Sequence, residues 1–319
     1  MKKIAIITSG GDAPGMNAAI RALVRCSISN DIKPFGIFGG YEGLLDGNMK
    51  ELTSENVGGI LHTGGTVLGT SRSERFRADE WIDHAANYLH SENIDCVVII
   101  GGDGSFKGGI KLAKRGIQVI GIPSTIDNDI GYTDFSIGFD TAVNTIINLI
   151  SNVRDTSSAH ERTTIVEVMG RDCGDIALHA GIAGGADVIL VPEKRMPIEE
   201  IVKRVRAGQS SGKKHSIIVM AEGCEYPINE LADLLQSLSK RETRSVIPGY
   251  IQRGGSPSAF DRILASRCGA EAISIITSGC TESLAVGVKQ GEIFQMRLDQ
   301  TDTKKHFDEN LYLLSDVLS

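Results

Sequence analysis

Two glycine-rich segments each carry an aspartate shortly after an apolar run. Residues 10–12 (GGD) follow the run 4–7, and residues 101–105 (GGDGS) follow the run 97–100. Glycines let the backbone approach a phosphate closely, and a helix that starts behind such a loop offers N–H donors to an anion. Both segments therefore predict phosphate binding, and a ligand-free strand-to-helix turn remains the alternative for either segment alone.

The aspartate of the second segment, Asp103, limits what the segment can bind. A carboxylate beside a phosphate is repulsive unless a cation lies between them, so Asp103 indicates either a helix cap or a Mg²⁺ ion. We expect Mg²⁺ there, held directly or through water. Asp12 precedes Ala13 and Pro14, a pattern typical of a turn or a helix start.

Neither segment matches a standard nucleotide fingerprint. Asp12 stands where the second glycine of GxGxxG belongs, and Lys107 takes the place of the third glycine in the later segment. Residues 208–214 (GQSSGKK) are one residue too short for a P-loop and lack its Ser or Thr.

An acidic triplet, residues 127–129 (DND), follows another apolar run, 119–122. Phosphorylation of an alcohol needs a base near the hydroxyl, a metal on the phosphates and cations around the transferred group. We interpret Asp127 as the general base, and Asp129 as part of the metal's surroundings or as the group that orients Asp127. A surface turn is the alternative. A phosphatase with a DxD nucleophile fits less well, because residues 123–125 intervene after the apolar run.

Arginines in polar segments could bind phosphate through bidentate hydrogen bonds. They are Arg162, Arg171, Arg244 and Arg253. Arg21 and Arg25 form a separate pair at i and i+4, and their repulsion costs about 0.2–0.5 kcal/mol unless an anion or a carboxylate lies nearby. A solvated surface charge is the alternative for each arginine.

The elements that must position these residues follow from the hydrophobic pattern. Short apolar runs at 4–7, 97–100, 119–122, 164–168 and 217–220 predict buried strands. Residues 16–28 and 143–153 keep a 3.6-residue apolar spacing, which predicts helices. Apolar strands alternating with amphipathic helices indicate an α/β fold with largely parallel sheets, whose ligands bind beyond the carboxyl ends of the strands.

The composition of the chain argues against some classes of function. The chain has 319 residues, a net charge of −7 and 5% aromatic residues, so a nucleic-acid surface or an anionic membrane surface is not expected. None of the six cysteines forms a CxxC pair, so we expect buried, reduced thiols in a cytoplasmic protein. The apolar stretch near the start ends at Thr8, too early for a signal peptide, and the chain has no apolar run of about 18 residues.

Five motifs in this order resemble the bacterial ATP-dependent 6-phosphofructokinases. They are residues 10–18 (GGDAPGMNA), 101–105 (GGDGS), 125–129 (TIDND), 169–171 (MGR) and 252–257 (QRGGSP). The glycine motif alone is shared with NAD and lipid kinases, but the combination is specific. The resemblance runs from about residue 3 to about residue 300.

The resemblance implies a homotetramer with shared active sites that transfers the γ-phosphate of ATP to O1 of fructose 6-phosphate, a committed step of glycolysis. It also implies two doubly wound α/β domains. The larger, ATP-binding domain would comprise residues 1–138 with about 251–300. The smaller, fructose 6-phosphate-binding domain would comprise 139–250 with about 301–319.

The resemblance also implies three groups of site residues. ATP would contact Gly11, Arg72, Ser73, Gly102, Asp103, Gly104 and Ser105, with Asp103 holding Mg²⁺. The sugar phosphate would contact Thr125, Asp127, Asp129, Met169, Gly170, Arg171, Glu222, Tyr250 and Arg253, and Arg162 and Arg244 would reach it from a neighbouring subunit. Of these, Thr125, Asp127 and Arg171 would be catalytic. An effector site for ADP or phosphoenolpyruvate would contain Arg21, Arg25, Arg154, Gly185, Asp187, Ser211 and Lys213.

Some positions depart from the family pattern. Tyr250 stands where a histidine is common, and Ser124 replaces a common glycine. Pyrophosphate-dependent relatives typically carry Asp at position 104 and Lys at position 124, so Gly104 indicates ATP. In the effector set, Ser54 and Ser211 replace basic residues and Asp187 is shorter than the usual Glu.

These departures predict weak allosteric control. Two other functions stay open from the sequence: a pyrophosphate-dependent phosphofructokinase and a non-catalytic sugar-phosphate sensor. A relative of the NAD or lipid kinases is a weaker alternative, because it would leave the 125–129 and 252–255 motifs without a purpose.

Overall fold

The computed structural model describes residues 2–318. Its strands are β1 (Lys3–Ser9), β2 (Lys33–Ile37), β3 (Met49–Glu51), β4 (Cys96–Gly101), β5 (Gln118–Pro123), β6 (Thr163–Val168), β7 (Val188–Leu190), β8 (Ser216–Ala221), β9 (Thr243–Val246), β10 (Leu284–Lys289) and β11 (Glu292–Arg297). Its α-helices are α1 (Met16–Ser29), α2 (Gly40–Leu45), α3 (Asp79–Ser91), α4 (Asp103–Ala113), α5 (Phe139–Ala159), α6 (Asp175–Gly184), α7 (Ile198–Ser210), α8 (Ile228–Ser239), α9 (Ala259–Thr277) and α10 (Glu309–Leu318).

Each of the five predicted strands is present, as β1, β4, β5, β6 and β8, and the two predicted helices are α1 and α5. The prediction of an α/β fold with largely parallel sheets is therefore confirmed. Two strands depart from parallel pairing: β3 runs antiparallel to β2, and β11 runs antiparallel to β10.

The chain divides into two compact units. The first unit contains the residues up to Ile126, Ile130–Thr141 and Arg253–Lys304. The second unit contains Asp127–Asp129, Ala142–Gln252 and the residues from Lys305 onward. The domain bounds expected from the sequence remain a prediction.

A seven-stranded sheet of order β11-β10-β5-β4-β1-β2-β3 forms the centre of the first unit. Ala5, Ile7, Val97 and Ile99 are buried in one core with α2, α3 and α4. Because successive strand residues point to opposite faces, the equally buried alternate residues of β1 and β4 face the other side, where α1 and α9 pack. The sheet is thus covered on both faces, as its continuous apolar strands predict.

The second unit contains a parallel four-stranded sheet of order β7-β8-β6-β9. Ile165 of β6 and Ile218 of β8 pack against Ile201 of α7 and Leu231 of α8. A second core of aliphatic residues therefore holds the strands that precede the 169–171 motif and Glu222.

The register of the central strands aligns their carboxyl ends. Ser9 pairs with Gly101, and Gly101 pairs with Pro123. In the second unit, Val168 pairs with Ala221. Because these strands are parallel, the loops that follow them leave the same edge of each sheet side by side.

Cysteine burial agrees in part with the sequence interpretation. Cys96, Cys173 and Cys268 are buried free thiols, and burial raises the pKa of Cys173 and Cys268 to about 12. The other three cysteines are only partly buried. Among residues 2–318, no helix has both the length and the apolar composition that crossing a membrane requires.

Two helical glycines should respond in opposite ways to alanine. A Cβ on Gly43 would lie 1.7 Å from the carbonyl oxygen of Phe38, whereas a Cβ on Gly208 would touch the flexible Lys213 side chain at 3.4 Å. We expect Gly43→Ala to destabilise the first unit by about 1–3 kcal/mol through overpacking. Gly208→Ala should be neutral or stabilise α7 by up to about 1 kcal/mol.

Thermal melting checks this pair. Fluorescence of the single tryptophan, Trp81 in α3, follows the first unit, and far-UV circular dichroism follows the whole chain. Gly43→Ala should lower the Trp81 transition by about 2–4 °C per kcal/mol, and Gly208→Ala should leave it in place. An unchanged Trp81 transition in Gly43→Ala would contradict the packing described for α2.

Candidate active site

Three loops emerge next to one another in the first unit, because β5, β4 and β1 are neighbours in the sheet. They begin at Gly10, Gly102 and Ser124, directly after the aligned strand ends. Position 101 must be a glycine, since a Cβ there would lie 2.5 Å from Ser105 Oγ. The Ser105 hydroxyl donates to the carbonyl of Ser9 at 2.9 Å and so ties the second loop to the first.

Asp103 is the first residue of α4, behind an N-cap at Gly102 that offers no side chain. Lys107 Nζ lies 2.8 Å from Asp103 Oδ2, and this hydrogen bond raises the pKa of Lys107. The Asp103 side chain is 43% exposed, so a ligand at the helix N-terminus can reach it. The backbone N–H groups of such a terminus suit a phosphate.

The residues at the start of α4 would suit a Mg²⁺ ion that is held mainly by substrate phosphates. Within residues 2–318, no cluster of three or more His, Cys, Asp or Glu residues is arranged to hold a metal. Mg²⁺ typically binds through one or two carboxylates, water and substrate phosphates rather than in an all-protein cage. The accessible carboxylate of Asp103 beside a helix N-terminus provides the protein's share of such a site.

Gly104 faces open space. A Cβ added at this position would meet no atom within 4 Å, and its backbone φ is not in the left-handed region. Neither packing nor conformation therefore requires glycine here.

The remaining predicted ATP residues of the first unit lie around the loop after β1. A Cβ on Gly11 would fall 2.4 Å from Arg253 Nη1, and this guanidinium donates to the carbonyl of Asp12 at 3.3 Å. Thr70 Oγ1 donates to the carbonyl of Gly10 at 2.9 Å, so the segment that carries Arg72 and Ser73 starts beside this loop. The exposed Arg72 extends the basic surface available to a phosphate.

In the second unit, the acidic triplet meets the loop after β6. Arg171 Nε lies 3.3 Å from Asp127 Oδ2, and Arg171 Nη1 lies 3.8 Å from Asp129 Oδ2. The Asp127 side chain is 1% exposed, whereas that of Arg171 is 56% exposed. A buried carboxylate is thus paired with a cation that still faces solvent and can contact a ligand.

Glu222, at the end of β8, holds the 169–171 loop through its carboxylate. Its Oε1 accepts hydrogen bonds from the N–H groups of Gly170 (3.2 Å) and Arg171 (2.9 Å). Gly170 has φ 139°, and a Cβ there would lie 2.4 Å from the carbonyl oxygen of Cys173. Glu222 and Gly170 therefore shape the turn that presents Arg171.

A cavity of about 150 Å³ opens beside this turn. It is lined by Glu167, Val168, Met169, Glu222, Ile247, Gly249, Tyr250 and Gln252. Burial, and then the charge of Glu222, raise the pKa of Glu167. Tyr250 is 83% exposed at this cavity, so its hydroxyl is available to a ligand.

Arg162 and Arg244 lie at the opposite end of the second sheet. Arg162 precedes the first residue of β6, while Met169 follows the last, so a strand of about 20 Å separates them. Arg244 lies on the neighbouring strand, beside Thr164, and pairs with Glu242. Within one chain, therefore, neither arginine joins the loop that carries Arg171.

The predicted effector residues of the second unit form two contacts. Arg154 Nη2 donates to the carbonyls of Gly184 and Gly185, and Lys213 Nζ lies 2.9 Å from Asp187 Oδ1. The Ser211 hydroxyl donates to its own helix, at the Gly208 carbonyl.

His215, which the sequence analysis did not identify, lies within electrostatic range of both contacts. Its pKa is lowered, first by burial and then by Arg154, Arg241 and Lys213, while Asp187 opposes this. Arg21 and Arg25 lie on α1 in the first unit. A group of cations around Asp187 is thus present in the second unit.

Sequence reasoning assigned no role to Asn128, although it lies in the acidic triplet, and did not identify Asp175. Asn128 has φ 52°, and its side-chain amide donates to Asp175 Oδ2 at 2.8 Å, with both side chains buried. This bond holds the middle of the acidic triplet in a conformation that few non-glycine residues adopt. The only local signal was the position of Asp175 behind two glycine-containing turns.

Together the fold and the strand-end loops define an α/β protein built to bind phosphorylated ligands. The chain belongs to the phosphofructokinase family, whose profile matches residues 3–276.

Relatives agree over most of the chain. It is 48% identical to the ATP-dependent 6-phosphofructokinase of Clostridium botulinum (strain Loch Maree), with both chains fully covered. The solved phosphofructokinase of Saccharomyces cerevisiae is 36% identical with a TM-score of 0.88, over 94% of this chain and 45% of that one. That of Pichia pastoris is 35% identical with a TM-score of 0.90, over 94% and 35%. This chain thus spans less than half of either of those two chains.

The Asn128–Asp175 bond generates a stability prediction. Asp175→Ala leaves a buried amide without this acceptor, and we expect a loss of about 1–3 kcal/mol in the free energy of unfolding. Asp175→Asn keeps an oxygen acceptor and should lose clearly less. Urea denaturation followed by circular dichroism measures both variants, and equal losses would show that the bond to Asn128 is not what Asp175 contributes.

Proposed function

We propose that this protein transfers the γ-phosphate of ATP to O1 of fructose 6-phosphate, giving fructose 1,6-bisphosphate and ADP. The observation that carries the proposal is the buried Asp127 carboxylate paired with the solvent-facing Arg171. A base and a cation side by side are what phosphorylation of an alcohol requires. Family membership and the full-length clostridial likeness support the same reaction.

The donor residues belong to the first unit. The N–H groups at the start of α4 and the loops at Gly10 and Gly102 suit the phosphates of ATP. Asp103 would hold Mg²⁺ together with donor phosphate oxygens, and when bound the ion neutralises charge on the transferred group. The open space at Gly104 supports ATP as donor, because no carboxylate stands there to repel the nucleotide.

The acceptor residues belong to the second unit, apart from Thr125 and Arg253. Asp127 accepts the proton of the sugar O1 hydroxyl as O1 forms its bond to the γ-phosphorus and the bond from that phosphorus to the β–γ bridging oxygen breaks. Arg171 stabilises the negative charge on the equatorial oxygens. Met169, Gly170 and Glu222 shape the turn that presents Arg171, and Thr125 would contribute to the surroundings of the reacting group.

The sugar 6-phosphate needs cations that this chain's own Arg171 loop lacks. Arg162 and Arg244 lie together at the other end of the second sheet. We assign them to the 6-phosphate of a neighbouring subunit's substrate, which makes a homotetramer with shared active sites part of the proposal. Tyr250 would also contact the sugar phosphate, and Arg253, whose guanidinium lies beside Gly11 and Asp12 in the first unit, stays a predicted sugar-phosphate ligand.

Regulation is also part of the proposal. We assign Arg154, Asp187 and Lys213 of the second unit to binding of ADP or phosphoenolpyruvate, and we assign Arg21 and Arg25 of α1 to the same effectors. Asp187 is already occupied by Lys213 and by the N–H of Ile217, so a new anion must compete with an existing ion pair. This supports weak allosteric control of a cytoplasmic glycolytic enzyme.

A coupled assay for fructose 1,6-bisphosphate tests the reaction. The protein is supplied with fructose 6-phosphate, Mg²⁺ and either ATP or pyrophosphate. We expect turnover with ATP and none with pyrophosphate. Turnover with pyrophosphate alone would support fructose 6-phosphate as the acceptor and contradict ATP as the donor. Binding of both ligands without turnover in either mixture would favour a sugar-phosphate sensor.

Replacement of Asp127 tests the base. Asp127→Ser should lower kcat by about 10²- to 10⁴-fold with little change in the KM for fructose 6-phosphate, because the lost group acts mainly in the transition state. Asp233→Ser, on the exposed surface of α8, is the matched control and should keep wild-type kinetics. A near-normal kcat in Asp127→Ser would remove Asp127 from the mechanism.

A further inference from the structure

Asp261, the third residue of α9, carries a fully buried carboxylate that none of the predicted site motifs includes. Its Oδ1 accepts from the N–H of Gly138 at 2.9 Å. Its Oδ2 accepts from the N–H of Thr141 at 2.8 Å and from the Thr141 hydroxyl at 2.5 Å. The Thr141 oxygen in turn accepts from the N–H of Ser258 at 2.9 Å. Three donors thus converge on one carboxylate.

These donors surround the start of α5 at Phe139. The first N–H groups of a helix have no partner inside the helix, and a negative charge is stabilising there. Gly138, with φ 106°, has no side chain that could cap the helix, so the cap comes from α9, 123 residues later in the chain. Burial is the main cause that raises the pKa of Asp261 to about 6, to which the charge of Asp140 on α5 adds. Above pH 7 the carboxylate is therefore ionised and accepts all three bonds.

The residues just before Gly138 run beside the loop that leads to Asp127. The N–H of Ile137 donates to the carbonyl of Pro123 at 3.1 Å, and Ser124 Oγ donates to the carbonyl of Ile137 at 3.2 Å. Ser136 Oγ donates to the carbonyl of Thr125 at 2.6 Å. This bracing segment, residues 136–138, therefore holds the backbone at residues 123–125, two positions before the proposed base.

Close packing leaves this segment little freedom. A Cβ on Gly15 would lie 2.5 Å from the Ile137 side chain, and a Cβ on Gly138 would lie 2.7 Å from the Ala13 Cβ. The loop after β1 thus supports the same segment from another side.

We propose that Asp261 is a positioning residue for phosphoryl transfer, acting through the 136–138 segment to hold Thr125 and, through the chain, Asp127. The proposal rests on the reaction proposed above. Asparagine cannot accept all of the hydrogen bonds that Asp261 accepts. One of its two terminal atoms is an amide nitrogen, which would face an N–H or O–H donor. Asp261→Asn therefore keeps the shape of the side chain and loses the bonds at one end.

The matched control is Ser258→Ala. Ser258 Oγ accepts from the N–H of Asp261 at 3.2 Å and caps α9 itself. Its removal weakens the same helix end but leaves the Asp261 carboxylate and the Ser258 N–H in place. Ser258→Ala therefore distinguishes an effect on the position of the site residues from a general destabilisation of α9.

The experiment measures kcat, the KM values and amide hydrogen exchange at pH 8 in full-length protein. We expect Asp261→Asn to lower kcat by about 10- to 100-fold with the KM for ATP within about twofold, and to speed exchange at Gly138 and Thr141. Ser258→Ala should keep kcat within about twofold. Asp261→Glu, which restores a carboxylate, should recover part of kcat.

Other outcomes would overturn the inference. Wild-type kcat in Asp261→Asn despite faster exchange at Gly138 would show that the contact has no role in catalysis. An equal loss of kcat in Ser258→Ala would show a merely structural role for this helix end. If Asp261→Asn does not fold, Thr141→Val, which removes one of the three donors, is compared with Thr141→Ser. We expect a lower kcat only in the valine variant, and equal kcat values would overturn the inference.

Failure of the proposed reaction is distinguishable. If the wild-type protein shows no turnover, the proposed reaction is wrong. Hydrogen exchange at residues 136–138 would still test whether Asp261 holds this segment. Unchanged exchange at residues 136–138 in Asp261→Asn would overturn the contact chain whatever the reaction is.

Discussion

The burial of one negative charge governs the acceptor half of the site. Asp127 is almost fully enclosed, and an enclosed carboxylate is costly unless a cation or hydrogen-bond donors compensate it. Arg171 supplies the cation, but only in a turn with φ 53° that Glu222 holds through two backbone N–H groups. The hydrogen bond from Asn128 to Asp175 holds the chain on the other side of Asp127. The loop conformations on both sides of Asp127 therefore compensate the burial of its carboxylate.

The central strands were predictable because they are buried on both faces. Continuous β-branched runs distinguish β1, β4, β5, β6 and β8 from their surroundings. Some of the strands that sequence reasoning missed lack this signal: β2 contains Pro34 and Gly36, β7 has three residues, and the edge strand β11 is only partly buried. β10 has six residues, five of them buried, and was missed although its pattern resembles that of the central strands. Pattern analysis needs both length and burial, and β7 lacks the first and β11 the second.

The same limit applies to the candidate site. Glycine loops and the acidic triplet were identified because each follows a strand directly in sequence, so local pattern and spatial position coincide. Asp175 binds the side-chain amide of Asn128, 47 residues away, and Asp261 binds the N–H of Gly138, 123 residues away; no local pattern marks such partners. Residues that carry the chemistry were thus accessible to sequence reasoning, whereas those that hold them in place required the fold.

The open space around Gly104 affects which substitutions the protein can accept during evolution. Most positions near the strand ends are closely packed, so a new side chain there would first cost folding free energy. At Gly104 a Cβ would meet no atom within 4 Å, and the first turn of α4 favours negative charge. Packing therefore opposes an aspartate little at this position, which is one of the two where pyrophosphate-dependent relatives differ. The fold can accept such a change without first losing stability.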